Sequence, residues 1–554
     1  MKKLLFSLFA LVAFLAGQAQ VSAQAMKPVV VVSLAGYDEL MSDVDFVGQI
    51  TGIPMLSAQM AEEGLKQVTQ GQGLKGLDKK KPWGGVLLSD GGFGFKFLVF
   101  VPVSDVKGLI EVFTGPFGFT AKDVGNGVLE VQGPAPQSGF AKTQGAYTFF
   151  AQNAADLADL PKDPEALLAG LNKEYDFAVR AFVQNVPQVF RDQILGGLRM
   201  GMQFSLQQQN PGEDPQAFAL RKQLVEQQLT QMETLFKELD TFTVGAKIDG
   251  AAKTANLDIG VTVAAGSEMA KQLAKIGDVQ TDHAGFLLPD AAVNMTAVGV
   301  VSPQEIEQAN TMIKSLGEQA KNEIDKDSSF PDAKTRDTAK EILADLIDVV
   351  TKTVATGKID FGATVLLAPE SATIVAGGTV ADGATVESAL KKFVEMAQSE
   401  LPEVKLNAGK LDGITLHTMS IPIPEANVQK AFGETADLVV GIGAKSVHLA
   451  FGRNATEALK KVVDHSTANT AKTVPPFQMI ASLTPILTFA NSVEPNPDVA
   501  NVVQTLSAAP GKDHVSLVAE IAKNGILYRL KAEEGVLRAI GAGVRTAIPV
   551  GAGF

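Results

Sequence analysis

The sequence predicts an α+β protein in which mainly antiparallel sheets are covered by helices. Strand patterns occur in pairs that are joined by short turns, which is typical of antiparallel hairpins. Amphipathic stretches long enough for helices separate these pairs. The composition agrees with a globular chain, because 46% of the 554 residues are apolar and 20% are charged. We therefore expect antiparallel multi-stranded sheets, each with helices on one side.

One order of elements recurs four times along the chain: a strand, a stretch of two helices, a β-hairpin and one helix. The four opening strands lie in segments that begin at Pro28, Tyr175, Ala291 and Pro476. The four junctions between hairpin and closing helix end at Phe113, Ile276, Phe393 and Gly541. Each junction ends a strand, turns through small or acidic residues and starts an amphipathic helix. This order of elements is therefore the predicted building unit.

Two spacers between these units resemble each other. The dipeptides Asn126-Gly127 and Asp412-Gly413 are turn sequences that open a strand. Further along each spacer, Asn153 and Asn454 occupy matching positions. We expect both asparagines to cap a helix, with the side-chain oxygen accepting hydrogen bonds from amides of the first turn.

The repeated units and matching spacers predict an internal duplication. Residues 26–280 would form the N-terminal repeat half and residues 281–554 the C-terminal repeat half. The boundary is expected near Asp278 to Leu288. Each half would contain a mainly antiparallel sheet covered by helices, built from the strand, helices, hairpin and helix described above.

Helix ends are marked most clearly at the start of the second half. Ser302 precedes a proline at the first helical position and, with Glu305, predicts a capping box. Helices are expected from Ser302 to about Asp325 and from about Asp332 to Thr356. Gly357 then provides the left-handed residue with which helices commonly end.

The strand at 255–263 indicates which sheet face is expected to be buried. Its odd positions are apolar, whereas the even positions include Asn256, Asp258 and Thr262. This alternation predicts that the odd face is buried and the even face is wet. The run from Phe97 to Val103 is apolar on both faces, which indicates a central strand or a sheet face covered by another element.

The first 25 residues have the layout of a signal peptide. Lys2 and Lys3 precede an apolar run from Leu4 to Ala16, and Ala23-Gln24-Ala25 fits the small-x-small cleavage pattern. The apolar run is too short to cross a hydrocarbon core of about 30 Å as a helix. We therefore expect a mature chain that begins near Met26, is exported to the periplasm or cell exterior, and does not insert into a membrane.

Charge and cysteine content exclude several classes of function. Lys and Arg total 48 against 61 Asp and Glu, which gives an acidic chain of formal net charge −13. Nucleic acids and anionic membranes are bound by cationic surfaces, so neither is expected as a partner. The chain has no cysteine, which excludes disulfides, thiol catalysis and thiolate metal sites.

Letter-for-letter matches to catalytic motifs occur in the wrong surroundings. Gly71 to Gly76 matches the GxGxxG fingerprint of dinucleotide sites but follows a helical stretch instead of a strand. Ser104 to Lys107 and Ser388 to Lys391 match the loose SxxK pattern, and both lie at helix starts. We therefore assign no catalytic, cofactor-binding or metal-binding residue and expect no cofactor.

The histidines are distributed unevenly, because all five fall in or just before the second half: His283, His417, His448, His465 and His514. Parity within the predicted strands places His417, His448 and His514 on the polar face, where we expect them to be exposed to solvent. If those strands were neighbours, the three imidazoles could bind zinc. A metal-dependent enzyme using His417, His448 and His514 is therefore one alternative function.

Three segments carry a resemblance to other sequences: AGFLLP from Ala284, ADGATVESALKKF from Ala381 and DLVVGIGAKSVHLAFGRNATEALKKVVDHS from Asp437. In these segments the chain is similar to uncharacterised secreted proteins of planctomycete-type bacteria. The resemblance implies export and a build of two halves. It implies no activity, cofactor or site residue.

These observations predict an exported, non-enzymatic protein that acts as a binding or structural component. Its partner would be an unknown protein or an apolar ligand. The second hypothesis is a carrier that holds an apolar ligand between the helices and a curved sheet, because continuous apolar strands such as Phe97 to Val103 would permit it. An apolar cavity would favour the carrier, whereas three clustered histidines in a cleft would favour the enzyme.

Overall fold

The structure is a computed structural model. It describes residues 26–53, 55–133, 138–206, 209, 215–277, 279–328, 330, 332–397 and 404–547. The predicted signal peptide, residues 1–25, lies outside the described residues, as does Asp278 at the predicted boundary between the halves. Among the helices that the structure describes, none is long and apolar enough to cross a membrane.

The chain divides into two compact units. The first consists of the described residues up to Phe204 together with Gln231–Ala264, and the second of Ser205–Thr230 together with the chain from Ala265 onward. The second unit thus includes residues before the predicted boundary at 280–281. The fold class is α+β, as predicted, since each unit combines helices with an antiparallel sheet.

The strands of the first unit follow one another along the chain with helices at the predicted places. They are β1 (Lys27–Leu34), β2 (Trp83–Ser89), β3 (Phe95–Pro102), β4 (Thr120–Asp123), β5 (Val128–Gln132), β6 (Ser138–Gln144), β7 (Tyr147–Ala151), β8 (Phe177–Phe182), β9 (Leu239–Asp249) and β10 (Thr254–Val263). The helices over the same stretch are α1 (Tyr37–Thr51), α2 (Ala58–Val68), α3 (Val106–Phe117), α4 (Leu171–Glu174), α5 (Gln188–Ser205) and α6 (Pro215–Glu238). One of the three points at which the chain passes between the units falls within α6, between Thr230 and Gln231.

Hydrogen bonds arrange the strands of the first unit in the order β10–β9–β8–β1–β2–β3–β7–β6–β5–β4. Each neighbouring pair is antiparallel. One face of this sheet, which we call its closed face, carries a continuous hydrophobic core. The core includes strand residues and three leucines that follow β7: Val31, Val86, Leu98, Phe100, Phe149, Leu157, Leu168 and Leu171.

The second unit repeats the alternation of strands and helices. Its strands are β11 (Gln280–Thr281), β12 (Val293–Val300), β13 (Lys358–Ala368), β14 (Ser371–Thr379), β15 (Val404–Leu411), β16 (Ile414–Pro422), β17 (Thr435–Ile442), β18 (Ser446–Gly452), β19 (Lys472–Thr473), β20 (Phe477–Ser482), β21 (His514–Ala522) and β22 (Gly525–Ala532). Its helices are α7 (Glu268–Ile276), α8 (Pro303–Lys326), α9 (Ala333–Ala355), α10 (Gly383–Met396), α11 (Ala426–Phe432), α12 (Ala455–Ala468), α13 (Leu483–Val493), α14 (Pro497–Leu506) and α15 (Glu534–Ala547).

The large sheet of the second unit has the order β22–β21–β20–β12–β13–β14–β18–β17–β16–β15, again antiparallel throughout. The short strands β11 and β19 form a separate pair. The closed face of the large sheet packs against α12 and the segment before β12. Its core includes Phe286, Leu288, Val375, Val439, Ala450, Leu459 and Val462.

Several predicted local features are confirmed. Asn126-Gly127 forms the turn between β4 and β5 with φ of 57° and 73°, and Asp412-Gly413 forms the β15–β16 turn with φ of 46° and 80°. Both residues of each turn need the left-handed region, which Gly, Asn and Asp enter most readily. The capping box of Ser302 and Glu305 is present at the start of α8.

The predicted capping role of two asparagines is wrong. Asn153 precedes a short 3₁₀ turn, and its side-chain amide donates to Asp156 Oδ2 at 3.2 Å instead of capping the turn. Asn454 precedes α12 but has a left-handed backbone, with φ of 55°, and makes no capping hydrogen bond. An N-cap residue normally has an extended backbone, which aims its side chain at the first-turn amides.

Candidate functional site

The second face of the large sheet in the second unit is apolar across its strands. Residues that pair across neighbouring strands point to the same face. The register therefore lines up one row: Leu530, Leu517, Met479, Met295, Ala363, Ala376, Leu449, Val440 and His417. A flanking row is also apolar: Ala532, Val515, Ala481, Val293, Val365, Ile374, Phe451, Leu438 and Met419.

We call this surface the open face of the second unit, because much of it is in contact with solvent. Leu449 is 48% exposed, and Ile374, Met479 and Leu530 are also exposed. Single exposed apolar residues are ordinary, but neighbouring exposed apolar residues on one sheet face are typical of interaction surfaces, which makes the open face a candidate binding surface.

The first unit has an open face of the same character. The register lines up Ile259, Val244, Val179, Val32, Gly85, Val99, Phe150, Ala141 and Leu129 across its strands. Beside this row, Leu257, Phe177 and Phe242 are exposed large apolar side chains. Each unit therefore has one sheet face that holds a core and one apolar face that is partly open.

The structure reverses the prediction at the centre of the strand at 255–263, although Val263 at its end is buried as predicted. Leu257, on the predicted buried face, is 42% exposed, and Ile259 is exposed as well. Asp258, on the predicted wet face, is only 2% exposed and accepts a hydrogen bond from the Tyr175 hydroxyl at 3.2 Å. Alternation distinguishes two faces, but the segments that cover a sheet decide which face is buried.

A cleft of about 320 Å³ lies between α1 and the open face of the first unit. We call it the first cleft. Its walls are mainly apolar side chains from α1, the following loop, β8 and β9: Leu40, Val44, Val47, Leu56, Phe177, Ala246 and Ile248. Two carboxyl groups, Asp43 and Asp176, complete the lining.

The carboxyl group of Asp43 has an abnormal protonation equilibrium. The pKa of Asp43 is raised to about 7, first by burial and then by the negative charges of Asp176 and Glu39, against an opposing contribution from Lys247. Among the described residues, Asp43 Oδ2 is buried without a hydrogen-bond donor. Asp43 also forms a hydrogen bond with Asp176, which it can donate only when it is protonated. This hydrogen bond therefore raises the pKa of Asp43 as well.

Asp176 is held firmly at the edge of the first cleft. Its carboxylate accepts hydrogen bonds from the Ile248 amide at 2.6 Å and from Lys247 Nζ at 3.1 Å. The same ammonium group lies 3.7 Å from Glu39 Oε1. Carboxyl groups with a raised pKa in apolar clefts are enriched at functional sites, which makes Asp43 a candidate site residue.

A second cleft, of about 460 Å³, lies between α8, α9 and the open face of the second unit. Its lining includes Val300, Val301, Glu305, Ala309, Thr353, Val354, Ile359, Phe361 and Thr379. Asp360 and Lys358 also line it, and these two groups pair at 3.0 Å. Asp360 accepts two further hydrogen bonds, from the Thr281 hydroxyl at 2.6 Å and the Asp282 amide at 2.9 Å. The Asp360 carboxylate is thus fully engaged by its own chain.

The prediction that His417 and His448 are exposed to solvent is wrong. His448 is 4% exposed, stacks on Phe286 with ring centres 6.2 Å apart, and lies 5.6 Å from the ring of His283. Burial, with a smaller contribution from His283, lowers the pKa of His448 to about 4. His417 is 2% exposed, and burial lowers its pKa although Glu387 lies 3.9 Å away. His514 instead pairs with Glu533 at 2.9 Å.

The structure does not bring the three candidate zinc ligands together. His417 lies in β16, His448 in β18 and His514 in β21, and six strands separate β16 from β21 in the sheet order. Across the part of the chain that the structure describes, no group of three or more His, Asp or Glu residues could hold a metal ion. His283, which sequence reasoning left aside, is the neighbour of His448.

The GxGxxG match and the first SxxK match fall where the sequence placed them, whereas Ser388 to Lys391 lies within α10 and not at its start. Gly71 to Gly76 forms turns after α2, with positive φ at three of its glycines. Asp105, next to Ser104, caps α3 by accepting from the Lys107 amide. The features that sequence reasoning missed are the open faces and the Asp43 carboxyl. The apolar odd positions of 255–263 and the run from Phe97 to Val103 were the available signals for the open face.

Comparison of the chain with models of protein families, with curated proteins and with solved structures finds no match.

Proposed function

We propose that this protein is a non-enzymatic carrier that binds an apolar ligand, such as the alkyl chain of a lipid, on its open faces. The observation that carries the proposal is the pair of helix–sheet clefts, each of which opens onto an apolar sheet face. The clefts have volumes within the range of small-molecule sites. An alkyl chain fits this chemistry, because each methylene removed from water contributes about 0.8 kcal/mol.

The polar groups of the clefts support binding over catalysis. In the second cleft, Asp360 is occupied by Lys358 and Thr281, so its carboxylate has little capacity left for a reacting group. In the first cleft, the carboxylate beside Asp43 is that of Asp176, which is already engaged by Lys247 and the Ile248 amide, and the remaining lining side chains are apolar. Catalysis would need several polar groups converging on one reacting atom.

The experiment introduces charge onto both open faces and measures binding of the neutral fluorophore N-phenyl-1-naphthylamine. The variant carries Leu257→Glu in the first unit and Leu449→Glu in the second. Both side chains are exposed, so the fold should be retained, which circular dichroism checks. We expect at least a tenfold loss of affinity, equivalent to about 1.4 kcal/mol.

A matched control carries Met200→Glu and Ile540→Glu, two exposed apolar residues on helices α5 and α15. It adds the same charge and should bind the fluorophore as the unmodified protein does. Equal binding by the open-face variant and the control would refute the proposal. So would the absence of fluorophore binding to the unmodified protein.

We also infer that the chain arose by internal duplication. The strand orders of the two units correspond position by position, from β1 with β12 to β10 with β22. The turns at Gly127 and Gly413 join corresponding strands, and Asn153 and Asn454 follow the corresponding strands β7 and β18. An experimental structure in which Gly127 fails to superpose on Gly413, or Asn153 on Asn454, would contradict the duplication.

We further propose export to the periplasm or cell exterior, on the strength of the N-terminal sequence. The intact mass of the protein isolated from its own source should correspond to a start near Met26. Membrane-bound material that retains Met1 would contradict export with cleavage.

A further inference from the structure

The first cleft contains more negative than positive charge. Asp43 and Asp176 line it, Glu39 lies on the same helix as Asp43, and Lys247 is the cation that faces them. Lys247 is shared between Asp176, at 3.1 Å, and Glu39, at 3.7 Å. Asp43 Oδ2 is buried with no donor among the described residues, and the hydrogen bond between Asp43 and Asp176 requires that one of the two carboxyl groups be protonated. A ligand that brings a hydrogen-bond donor and a positive charge would complete this arrangement.

We propose that the first cleft takes an amphiphile whose polar end is a protonated amine, with its ammonium on Asp43 and its alkyl chain between α1 and the open face. The inference rests on the proposed function and specifies the ligand class for one of its sites. The alkyl chain would contact the apolar wall formed by Leu40, Val44, Val47, Phe177 and Ile248.

The same geometry selects against fatty acids. A ligand carboxylate would add a further negative charge beside Asp43 and Asp176 in a partly dehydrated site, where repulsion between like charges is strong. An ammonium group offers three donors and can satisfy the buried Asp43 oxygen directly. A neutral alcohol can bind the apolar wall but gains no charge attraction.

Binding of an ammonium group should depend on pH in a defined direction. The pKa of Asp43 is about 7 in the free protein, as set by burial and by the charges of Asp176, Glu39 and Lys247. The cation favours ionised Asp43, so its affinity should rise with pH. At pH 5.5 only a few per cent of Asp43 is ionised, and linkage gives an affinity about 30-fold lower than at pH 8.5. The alkylamine itself remains protonated over this range.

The experiment measures binding of dodecylamine, dodecanol and dodecanoate to the purified mature chain by calorimetry at pH 5.5 and 8.5, below their micelle concentrations. Asp43→Asn keeps the shape of the side chain and removes its charge. Asp38→Asn makes the same charge change on the same helix at an exposed residue that does not line the cleft. We expect dodecylamine to bind most tightly at pH 8.5, and only Asp43→Asn to abolish its pH dependence.

The outcomes separate this inference from the proposed function. If dodecanol binds but dodecylamine binds no more tightly at pH 8.5, or if Asp43→Asn keeps the full pH dependence, the amine specificity is wrong and the carrier function stands. If none of the three amphiphiles binds, the carrier function fails and this inference fails with it.

Discussion

Two adjacent phenylalanines in β7 provide a direct test of which sheet face is the core. Phe149 is fully buried on the closed face, with its ring 5.8 Å from the ring of Phe100. Phe150 points to the open face and is half-buried. The two residues are of the same type and are adjacent in the same strand, so Phe149→Ala and Phe150→Ala form a matched pair.

The two substitutions should differ in their cost to stability. Removal of the Phe149 ring loses its burial and leaves a cavity in a closed core, which typically costs about 3–5 kcal/mol. The Phe150 ring is only partly removed from water, and the space it leaves opens to solvent. We therefore expect about 1–2 kcal/mol for Phe150→Ala, mainly from lost apolar burial.

Trp83 makes the measurement simple. It is the one tryptophan of the chain, lies in β2 of the first unit, and donates its indole N–H to the Ala35 carbonyl at 3.0 Å. Its fluorescence during urea unfolding therefore reports on the first unit. With an unfolding slope of about 3 kcal/mol per molar urea, Phe149→Ala should lower the midpoint by about 1 M or more.

The outcome that would refute the reasoning is equally specific. If Phe150→Ala destabilised the first unit as much as Phe149→Ala, the open face would be a packed core face, and it would not be free to bind a ligand. The binding assay supplies an independent readout, because Phe150→Ala should weaken binding of the apolar fluorophore while leaving the fold in place.

Two further predictions concern the second unit. Because the pKa of His448 is lowered in the folded protein, the unfolded chain takes up a proton on this residue at a higher pH than the folded chain does. The contribution of neutral His448 to the free energy of unfolding should therefore be complete above about pH 6.5 and fall by about 3 kcal/mol as the pH drops toward 4. Urea midpoints over this range should vary less in His448→Phe, and an unchanged pH dependence would contradict the assignment. Gly285→Ala should lower the melting temperature sharply, because its Cβ would lie 1.9 Å from the Val462 carbonyl oxygen, whereas Gly299→Ala has open space and should be close to neutral; equal effects of the two would contradict the packing.

The order of elements could be predicted from the sequence because its signals are local. The hairpin turns at Asn126-Gly127 and Asp412-Gly413 and the capping box at Ser302 each depend on residues within a few positions of one another. Helices α8 and α9 follow from their periodicity and from Gly357, whose φ is 68°. Such features form in nearly the same way wherever the segment lies in the fold.

The placement of polar residues could not be predicted in this way. Asp258 is buried because Tyr175, distant in the sequence, supplies a hydrogen bond. His448 is buried because Phe286 and His283 pack against it. Sequence parity put both residues on wet faces, since polarity alone does not reveal a partner that arrives from another part of the chain.

The sequence by itself therefore determined the α+β class, the order of strands, helices and hairpin turns, and the presence of two distinct faces in a strand such as that at 255–263. Only the tertiary structure decided which face is closed and which is open. It also brought Asp43, Asp176 and Lys247 together at the first cleft. The physical reason is that alternation within a strand is a local property, whereas burial depends on which distant segments pack on each side. The charges around Asp43 likewise come from three separate elements and meet only when the sheet and α1 are assembled.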